Sequence, residues 1–199
     1  MAEEHKRLGD TGLVKGQVDQ LAYLVAPRGL DRALDFWVRT MGAGPFFTLE
    51  SSLQDEVFRG RPTRMTCRVG LAYMGEVQIE VIEPTNDGAG PYREWLERHP
   101  PPPVGGLYHH VMLKHEGYDE AYARLLEGGC RRAYDARSWT GDRVAYLEAF
   151  ETTGGYVELL EAAGWPALCE RIREASRNWD GSRPIRSFEE VSGDFGSPG

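Results

Sequence analysis

The stretch Val77-Gln78-Ile79-Glu80-Val81-Ile82-Glu83-Pro84 has a counterpart later in the chain, Gly155-Tyr156-Val157-Glu158-Leu159-Leu160-Glu161. Both are apolar, strand-like patterns interrupted by a glutamate. Each follows, in its own half of the chain, an earlier apolar stretch that carries a polar residue, Gln20 in the first half and His110 in the second. The same arrangement therefore occurs twice, which predicts two copies of one structural unit.

Each copy reads as a strand, a helix and three further strands. Apolar residues recur at helical spacing from Leu30 to Met41 and again from Tyr118 to Leu126, and each run ends at glycine. The polar residues 51–63, which include Gly60 and Pro62, predict a loop. The predicted fold class is α+β: two paired βαβββ modules that form a cupped mixed sheet, with helices on its outer face.

Composition changes along the chain indicate its organisation. Four consecutive prolines and two glycines mark a linker, because prolines favour an extended connection. Residues 166–177 predict an added helix, and residues 180–199, rich in Gly, Ser and Pro, predict a flexible end. We therefore expect a flexible N-terminal arm (1–16), a first module (17–98), a linker (99–106), a second module (107–162), and a C-terminal helix with a flexible tail (163–199).

Bulk properties exclude several classes of protein. The chain has 199 residues, a hydrophobic fraction of 41% and a net charge of −8. These values are typical of an acidic globular protein. This charge argues against nucleic-acid and anionic-membrane partners. There is no apolar run long enough to span a membrane and no signal-peptide pattern, and the three cysteines form no CxxC motif. We expect a cytoplasmic protein with reduced thiols.

The alternation of side chains across a strand predicts which residues face the cup. Glu80 shares a face with Gln78 and Ile82, and the opposite, apolar face packs on the helices. By the same rule Glu158 and Gln20 face the cup. In the strand near residue 110, His110 faces the cup with Tyr108, whereas His109 faces the other way and has a structural role. One β-bulge would reverse this assignment.

A shared metal site follows from this pattern. Gln20, Glu80, His110 and Glu158 offer an amide oxygen, two carboxylates and one imidazole, a set that suits Zn, Ni, Co, Mn or Mg. At an octahedral ion two positions would remain open for water or substrate. The ion would then polarise a substrate oxygen and acidify an adjacent C–H bond, with a detached carboxylate as the base. The alternative is that each glutamate lies at a solvated strand edge.

At these residues the chain resembles the vicinal oxygen chelate superfamily, which contains glyoxalases, methylmalonyl-CoA epimerase, extradiol dioxygenases and bleomycin resistance proteins. The similarity covers about residues 17–162, and the strand pattern is most similar to glyoxalase-like and epimerase-like members. The resemblance implies that the ligands come from the first and last strands of each module, which are Gln20, Glu80, His110 and Glu158. The usual first ligand is His, so Gln20 departs from the pattern and disfavours the two-His iron site of the dioxygenases.

Two functions remain open. The first is a metal-dependent isomerase, epimerase or lyase that removes a proton next to a carbonyl or thioester, with Glu158 as ligand and base and Glu80 as ligand and second proton carrier. The second is a non-catalytic cup that sequesters aromatic molecules, suggested by the aromatic residues Tyr108, Tyr146, Tyr156, Phe150 and Trp139. In either case the partner is a small molecule. Lys114, Arg68 and Arg143 are candidate anion-binding residues, and relatives are often dimers, so we expect a homodimer.

Overall fold

One continuous mixed sheet of eleven strands carries the fold in the computed structural model, which describes residues 17–114, 117–161 and 165–193. The strands are β1 (Gln17–Leu24), β2 (Phe46–Ser51), β3 (Gln54–Phe58), β4 (Arg61–Pro62), β5 (Cys67–Met74), β6 (Val77–Pro84), β7 (Leu107–Lys114), β8 (Arg131–Arg137), β9 (Arg143–Ala149), β10 (Gly155–Leu160) and β11 (Ile185–Ser187).

Helices connect these strands. They are α1 (Leu30–Phe36), which continues into a π-helical turn (Trp37–Met41), α2 (Pro91–Arg98), α3 (Tyr118–Glu127), α4 (Phe150–Thr153), α5 (Trp165–Arg177) and α6 (Glu189–Ser192). The π turn ends at Gly42, whose φ of 75° is a left-handed conformation that glycine adopts without steric cost. The predicted repeat of strand, helix and three strands is thus present in both halves.

The order of the strands shows how the halves join. The sheet runs β11-β2-β5-β6-β1-β7-β10-β9-β8-β3-β4, so two sets of four strands meet where β1 pairs antiparallel with β7. Within each half, the first and last strands of the module are parallel neighbours, β1 with β6 and β7 with β10. The α+β fold class predicted from the repeat is confirmed.

The outer face of the sheet is covered by α1 and α3. Leu30 and Leu34 of α1 are buried in one cluster with Ile79 and Val81 of β6, the apolar face that alternation predicts. Ala121 of α3 packs in a corresponding cluster with Leu159 of β10. Burial of a leucine side chain of this kind stabilises the fold by roughly 1.5–3 kcal/mol. The opposite, concave face carries the polar side chains together with a second and larger apolar cluster.

The prediction of a loop at residues 51–63 was wrong, and within the tail expected to be flexible, residues 185–187 and 189–192 form regular elements. Residues 51–63 contain the β3–β4 hairpin, whose turn residues Arg59 and Gly60 both have positive φ, as a two-residue turn of matching twist requires. Although it belongs to the first half, this hairpin extends the second half by pairing with β8. Within residues 180–199, β11 pairs parallel with β2 and α6 follows it.

The expected arm of residues 1–16 and the end of the tail, residues 194–199, lie outside the described residues. In the part of the chain that is described, no helix combines the length and the apolar character that crossing a membrane requires.

Candidate metal centre

The register of four central strands places the predicted ligands on one concave face. Glu80 lies opposite Ala22, which lies opposite His110, so Glu80 and His110 flank the small Ala22 side chain. In the next row, Gln20 and Glu158 flank Met112 in the same way. The structure therefore brings together all four residues, two from each half.

The distances are those of a compact cluster. Nε2 of His110 lies 2.8 Å from a carboxylate oxygen of Glu158, 3.5 Å from one of Glu80 and 3.4 Å from Oε1 of Gln20. One donor atom each from Glu80, His110 and Glu158 lies within 4.8 Å of the others. Because the imidazole is fully buried and the two carboxylates are nearly so, water screens this cluster weakly.

The cluster shifts the pKa values of its members. Burial alone would lower the pKa of His110, but the charges and hydrogen bonds of Glu158 and Glu80 raise that pKa to about 9. Burial raises the pKa of Glu80, and His110 opposes this change. The imidazole of His110 thus faces two carboxylates, and a cation placed there competes with the proton that His110 binds.

His109 does not face α1 and α3 on the outer side of the sheet, so the prediction from alternation was wrong at this residue; its ring instead packs on α2. Tyr23 pairs with Tyr108 and Ala22 pairs with His110, which leaves His109 as the extra residue of a β-bulge. Its Nδ1 lies 2.9 Å from Nδ1 of His110. Tyr108 correspondingly lies on the helix side, with its ring 6.2 Å from that of Tyr23.

The surroundings of His109 keep its imidazole ring in the neutral state. Burial, together with the charge of His110, lowers its pKa well below 6.5, and a backbone hydrogen bond at Pro91 only partly opposes this. A neutral His109 accepts a hydrogen bond from Nδ1–H of His110, which leaves Nε2 of His110 directed at the glutamates. Gly155 permits the bulge, because a Cβ atom there would lie 2.4 Å from the carbonyl oxygen of His109.

In the first half, Gln78 orients Gln20 as His109 orients His110 in the second half. Nε2 of Gln20 donates a hydrogen bond of 2.6 Å to Oε1 of Gln78, so the amide oxygen of Gln20 faces the cluster. Nε2 of Gln78 in turn lies 3.7 Å from Sγ of Cys169 on α5. Gln20 and His110 are therefore each oriented by a buried neighbour, in the manner of the outer shell of a metal site.

A cavity opens beside the cluster on the concave face. Gln20, Glu80 and Glu158 line one part of it, and its walls are otherwise mostly apolar. Of the aromatic residues expected to line the groove, Tyr146 and Trp139 do so, whereas Tyr108, Tyr156 and Phe150 are not among the lining residues. Tyr156 instead packs edge-to-face on Phe150, with the ring centres 4.9 Å apart.

Glu56 is a further carboxylate in this cavity that the sequence did not reveal, because it lies on β3, in the segment expected to be a loop. It accepts hydrogen bonds from the backbone N–H of Met65 at 3.0 Å and from the hydroxyl of Tyr134 at 2.8 Å. Burial raises the pKa of Glu56 despite these bonds. Residues 54–58, Gln-Asp-Glu-Val-Phe, do not alternate between polar and apolar, so the sequence carries no period-two signal for this strand.

Comparison with known proteins agrees with this geometry. Residues 19–146 match the family model of the Glyoxalase/Bleomycin resistance protein/Dioxygenase superfamily, which is more than half of the chain. The chain belongs to this superfamily. The matched range includes Gln20, Glu80 and His110 and ends before Glu158.

Solved structures of the superfamily fold are similar to the chain at low identity. A hypothetical protein from Bacillus halodurans C-125 is 18% identical with a TM-score of 0.53, over 74% of this chain and 95% of that protein. Methylmalonyl-CoA epimerase from Mycobacterium tuberculosis is 21% identical with a TM-score of 0.51, over 79% of this chain and 94% of that enzyme. No curated protein matches the sequence. At these identities the likeness shows the fold.

The superfamily implies a metal ion, and the residues of the cluster suit one. Three kinds of donor atom converge from four strands, and both glutamates face the single imidazole nitrogen. Two buried carboxylates so close together are costly unless a cation lies between them. The set of two carboxylates, an amide oxygen and an imidazole suits a divalent first-row ion or Mg²⁺.

Proposed function

We propose that the protein is a divalent-metal-dependent isomerase, epimerase or lyase that removes a proton from a carbon next to a carbonyl or thioester group. The observation that carries this proposal is the buried cluster of Glu80, His110 and Glu158, with the amide oxygen of Gln20, at the wall of an apolar cavity. Membership of the superfamily supports the class of reaction. A homodimer and a cytoplasmic location stay predictions.

Gln20, Glu80, His110 and Glu158 would hold the ion. A bound divalent ion supplies a Lewis acid that polarises a substrate oxygen and so lowers the pKa of the neighbouring C–H bond. Which of Zn, Ni, Co, Mn or Mg is used depends on supply as well as on the ligands, because this mixed set of donors accepts all five.

The side chains supply the rest of the chemistry. Glu158 lies in the cavity wall and accepts the proton, and Glu80, on the other side of His110, carries a proton to or from the opposite face. His109 and Gln78 position His110 and Gln20. The cavity keeps bulk water away from the transferred proton, because apolar residues form most of its wall.

The test measures the ion and the proton separately. Elemental analysis of protein purified without chelator or nickel resin is expected to give close to one divalent ion per chain. α-Hydroxyketones and acyl thioesters are then incubated with the protein in D₂O, and NMR follows deuterium entering the carbon next to the carbonyl. Both results are expected for the wild type, and Glu158→Gln should lose the exchange.

Glu161→Gln is the matched control, because Glu161 directly follows the same strand but pairs with Arg143 at 2.8 Å. It should keep both the ion and the exchange. If Glu158→Gln matches Glu161→Gln in both assays, the proposed roles are wrong.

A binding function is the second candidate, and the aromatic wall favours it. Tyr92, Tyr134, Tyr146, Trp139 and Trp165 line the cavity, which would suit a flat aromatic ligand. Protein that stays metal-free after incubation with all five ions, yet binds aromatic molecules, would support this candidate over the enzyme.

A further inference from the structure

We infer that the substrate is a small, uncharged and largely apolar carbonyl compound, and that the C-terminal segment of residues 165–193 sets this preference by roofing the cavity. The statement that this ligand is a substrate rests on the proposed function. The preference for an uncharged ligand rests on the cavity walls alone.

The first observation is the charge of the side chains that line the cavity. Among the described side chains that line the cavity, four are acidic and none is basic: the acidic ones are Glu56, Glu80, Asp142 and Glu158. A divalent ion would balance two of these carboxylates. A carboxylate or phosphate on the part of the ligand that lies away from the ion would then enter a poorly screened space whose described lining side chains include no cation, and like charges there repel strongly.

The arginines that could have bound an anion are engaged elsewhere. Arg68 pairs with Asp31 at 2.9 Å, and Arg143 pairs with Asp119 at 2.7 Å and with Glu161 at 2.8 Å. Neither lines the cavity. The side chain of Lys114, the third candidate from the sequence, lies outside the described part of the chain.

The roof is the second argument. Trp165 and Leu168 of α5 line the cavity, and so does Trp139 from the loop between β8 and β9. The Trp139 ring meets that of Trp165 at 6.5 Å and that of Phe188, near the end of the segment, at 6.1 Å. The C-terminal segment thus adds an apolar, aromatic wall to the cavity that the polar cluster also lines, which suits the apolar part of a ligand.

This roof is fixed to the sheet. β11 pairs with β2, and along α5 the hydroxyl of Ser176 accepts a hydrogen bond of 3.3 Å from the backbone N–H of Tyr73. Cys169 and Ile172 are buried in the cluster that fills the concave face. Because the segment lies after residue 146, where the family match ends, this wall is additional to the matched part of the fold.

The test compares ligands of similar size and different charge, 2-hydroxyacetophenone and methyl benzoylformate, both uncharged, and the benzoylformate anion; acetyl-CoA is added as a larger anion. Isothermal titration calorimetry measures their binding to the full chain as purified, with its metal content recorded, and again after chelator treatment. The uncharged ligands are expected to bind at least tenfold more tightly than either anion after chelator treatment, where no ion can coordinate the carboxylate of benzoylformate directly. Equal or tighter binding of the benzoylformate anion in that form overturns the inference.

Two variants localise the effect, each with a matched control. Trp165→Ala removes part of the roof and should weaken binding of 2-hydroxyacetophenone about tenfold, as the loss of a buried aromatic contact would. Trp179→Ala, in the same segment but not in the cavity wall, should not. Thr140→Arg adds a cation at the lining and should strengthen benzoylformate binding about tenfold, whereas Thr152→Arg on α4 should not. Equal behaviour within either pair contradicts the proposed walls.

These results are separable from the proposed function. A preference for uncharged ligands without deuterium exchange keeps the inference and removes the enzyme. Exchange that occurs only with acetyl-CoA keeps the enzyme and removes the inference.

Discussion

The two halves of the molecule build the cluster by the same rule and with different chemistry. In each half, the glutamate lies opposite the residue two positions after the candidate amide or imidazole ligand: Glu80 opposite Ala22 in the first half, and Glu158 opposite Met112 in the second. The positions of the four candidate ligands are therefore a property of the repeated strand pairing. Their identities, Gln20 and His110, are not repeated.

The residues that orient Gln20 and His110 also differ between the two halves. Gln20 is held by Gln78, which lies directly opposite it on the neighbouring strand. His110 is held by His109, the preceding residue, which a bulge turns to the same face. A repeat can therefore fix where donor atoms lie, while local backbone geometry decides how each one is oriented.

The largest expected effect separates the two glutamates. Glu158 lies 2.8 Å from Nε2 of His110 and Glu80 lies 3.5 Å from it. If Glu158 is the base, Glu158→Gln should reduce deuterium exchange roughly a thousandfold. Glu80→Gln should reduce the rate of deuterium exchange by a factor that is at least ten times smaller. Steady-state exchange rates at saturating metal measure both, and equal losses would show that the halves are interchangeable.

The next prediction compares the two supporting residues. His109→Phe keeps the ring volume but removes the acceptor of the His110 hydrogen bond, and it should weaken metal binding by about 10–100-fold. Gln78→Leu, which releases the Gln20 amide, should weaken it less, since an amide oxygen can still rotate toward the ion. Competition with a chelating dye gives both affinities. His99→Phe, outside the cluster, is the control and should leave metal affinity unchanged.

A third variant makes the halves more alike. Gln20→His gives the first half the donor of the second half, and it should raise affinity for Zn and Ni relative to Mg by about tenfold, because imidazole suits the first-row ions better than an amide oxygen does. The reverse variant, His110→Gln, should shift the same ratio in the opposite direction. A ratio that neither variant changes would mean that these residues do not bind the ion.

The smallest expected effect concerns the hairpin that only the first half contains. The pKa of Glu56 is raised in the folded protein by burial, so its contribution to stability is full below its unfolded value and is lost as pH rises through the folded value. The wild type should therefore lose stability relative to Glu56→Gln as pH rises above about 4.5. Urea unfolding of both proteins between pH 4 and 8 measures this difference, and parallel curves would contradict it.

Strand alternation in the sequence was sufficient to predict the ligand face of β6 and β10. Both are regular strands with a glutamate among alternating apolar residues, so the period of two applied without interruption. The ordering of β1, α1, β7 and α3 also followed from periodicity. In these elements, local pattern and tertiary packing agree.

Elsewhere the sequence was insufficient for identifiable reasons. The bulge at His109 depends on the close approach of Gly155 from another strand, which no local pattern encodes. The turn at Arg59 and Gly60 lacks the usual Asn-Gly signal, so β3 and with it Glu56 were assigned to a loop. β11 has three residues and gains its order from pairing with β2. At the bulge and at β11 a distant part of the chain decides the local conformation, whereas at β3 the local turn signal was missing.

The seam between β1 and β7 has a consequence for how the site comes into being. Each half supplies one carboxylate and one neutral donor, so neither half alone can enclose a cation. Any ligand that requires both halves binds only the assembled pair, and it stabilises that pair by an amount that grows with the logarithm of its concentration. Melting temperature would then rise with the concentration of an ion that binds there, so the heat stability of the chain would report how much ion its surroundings supply.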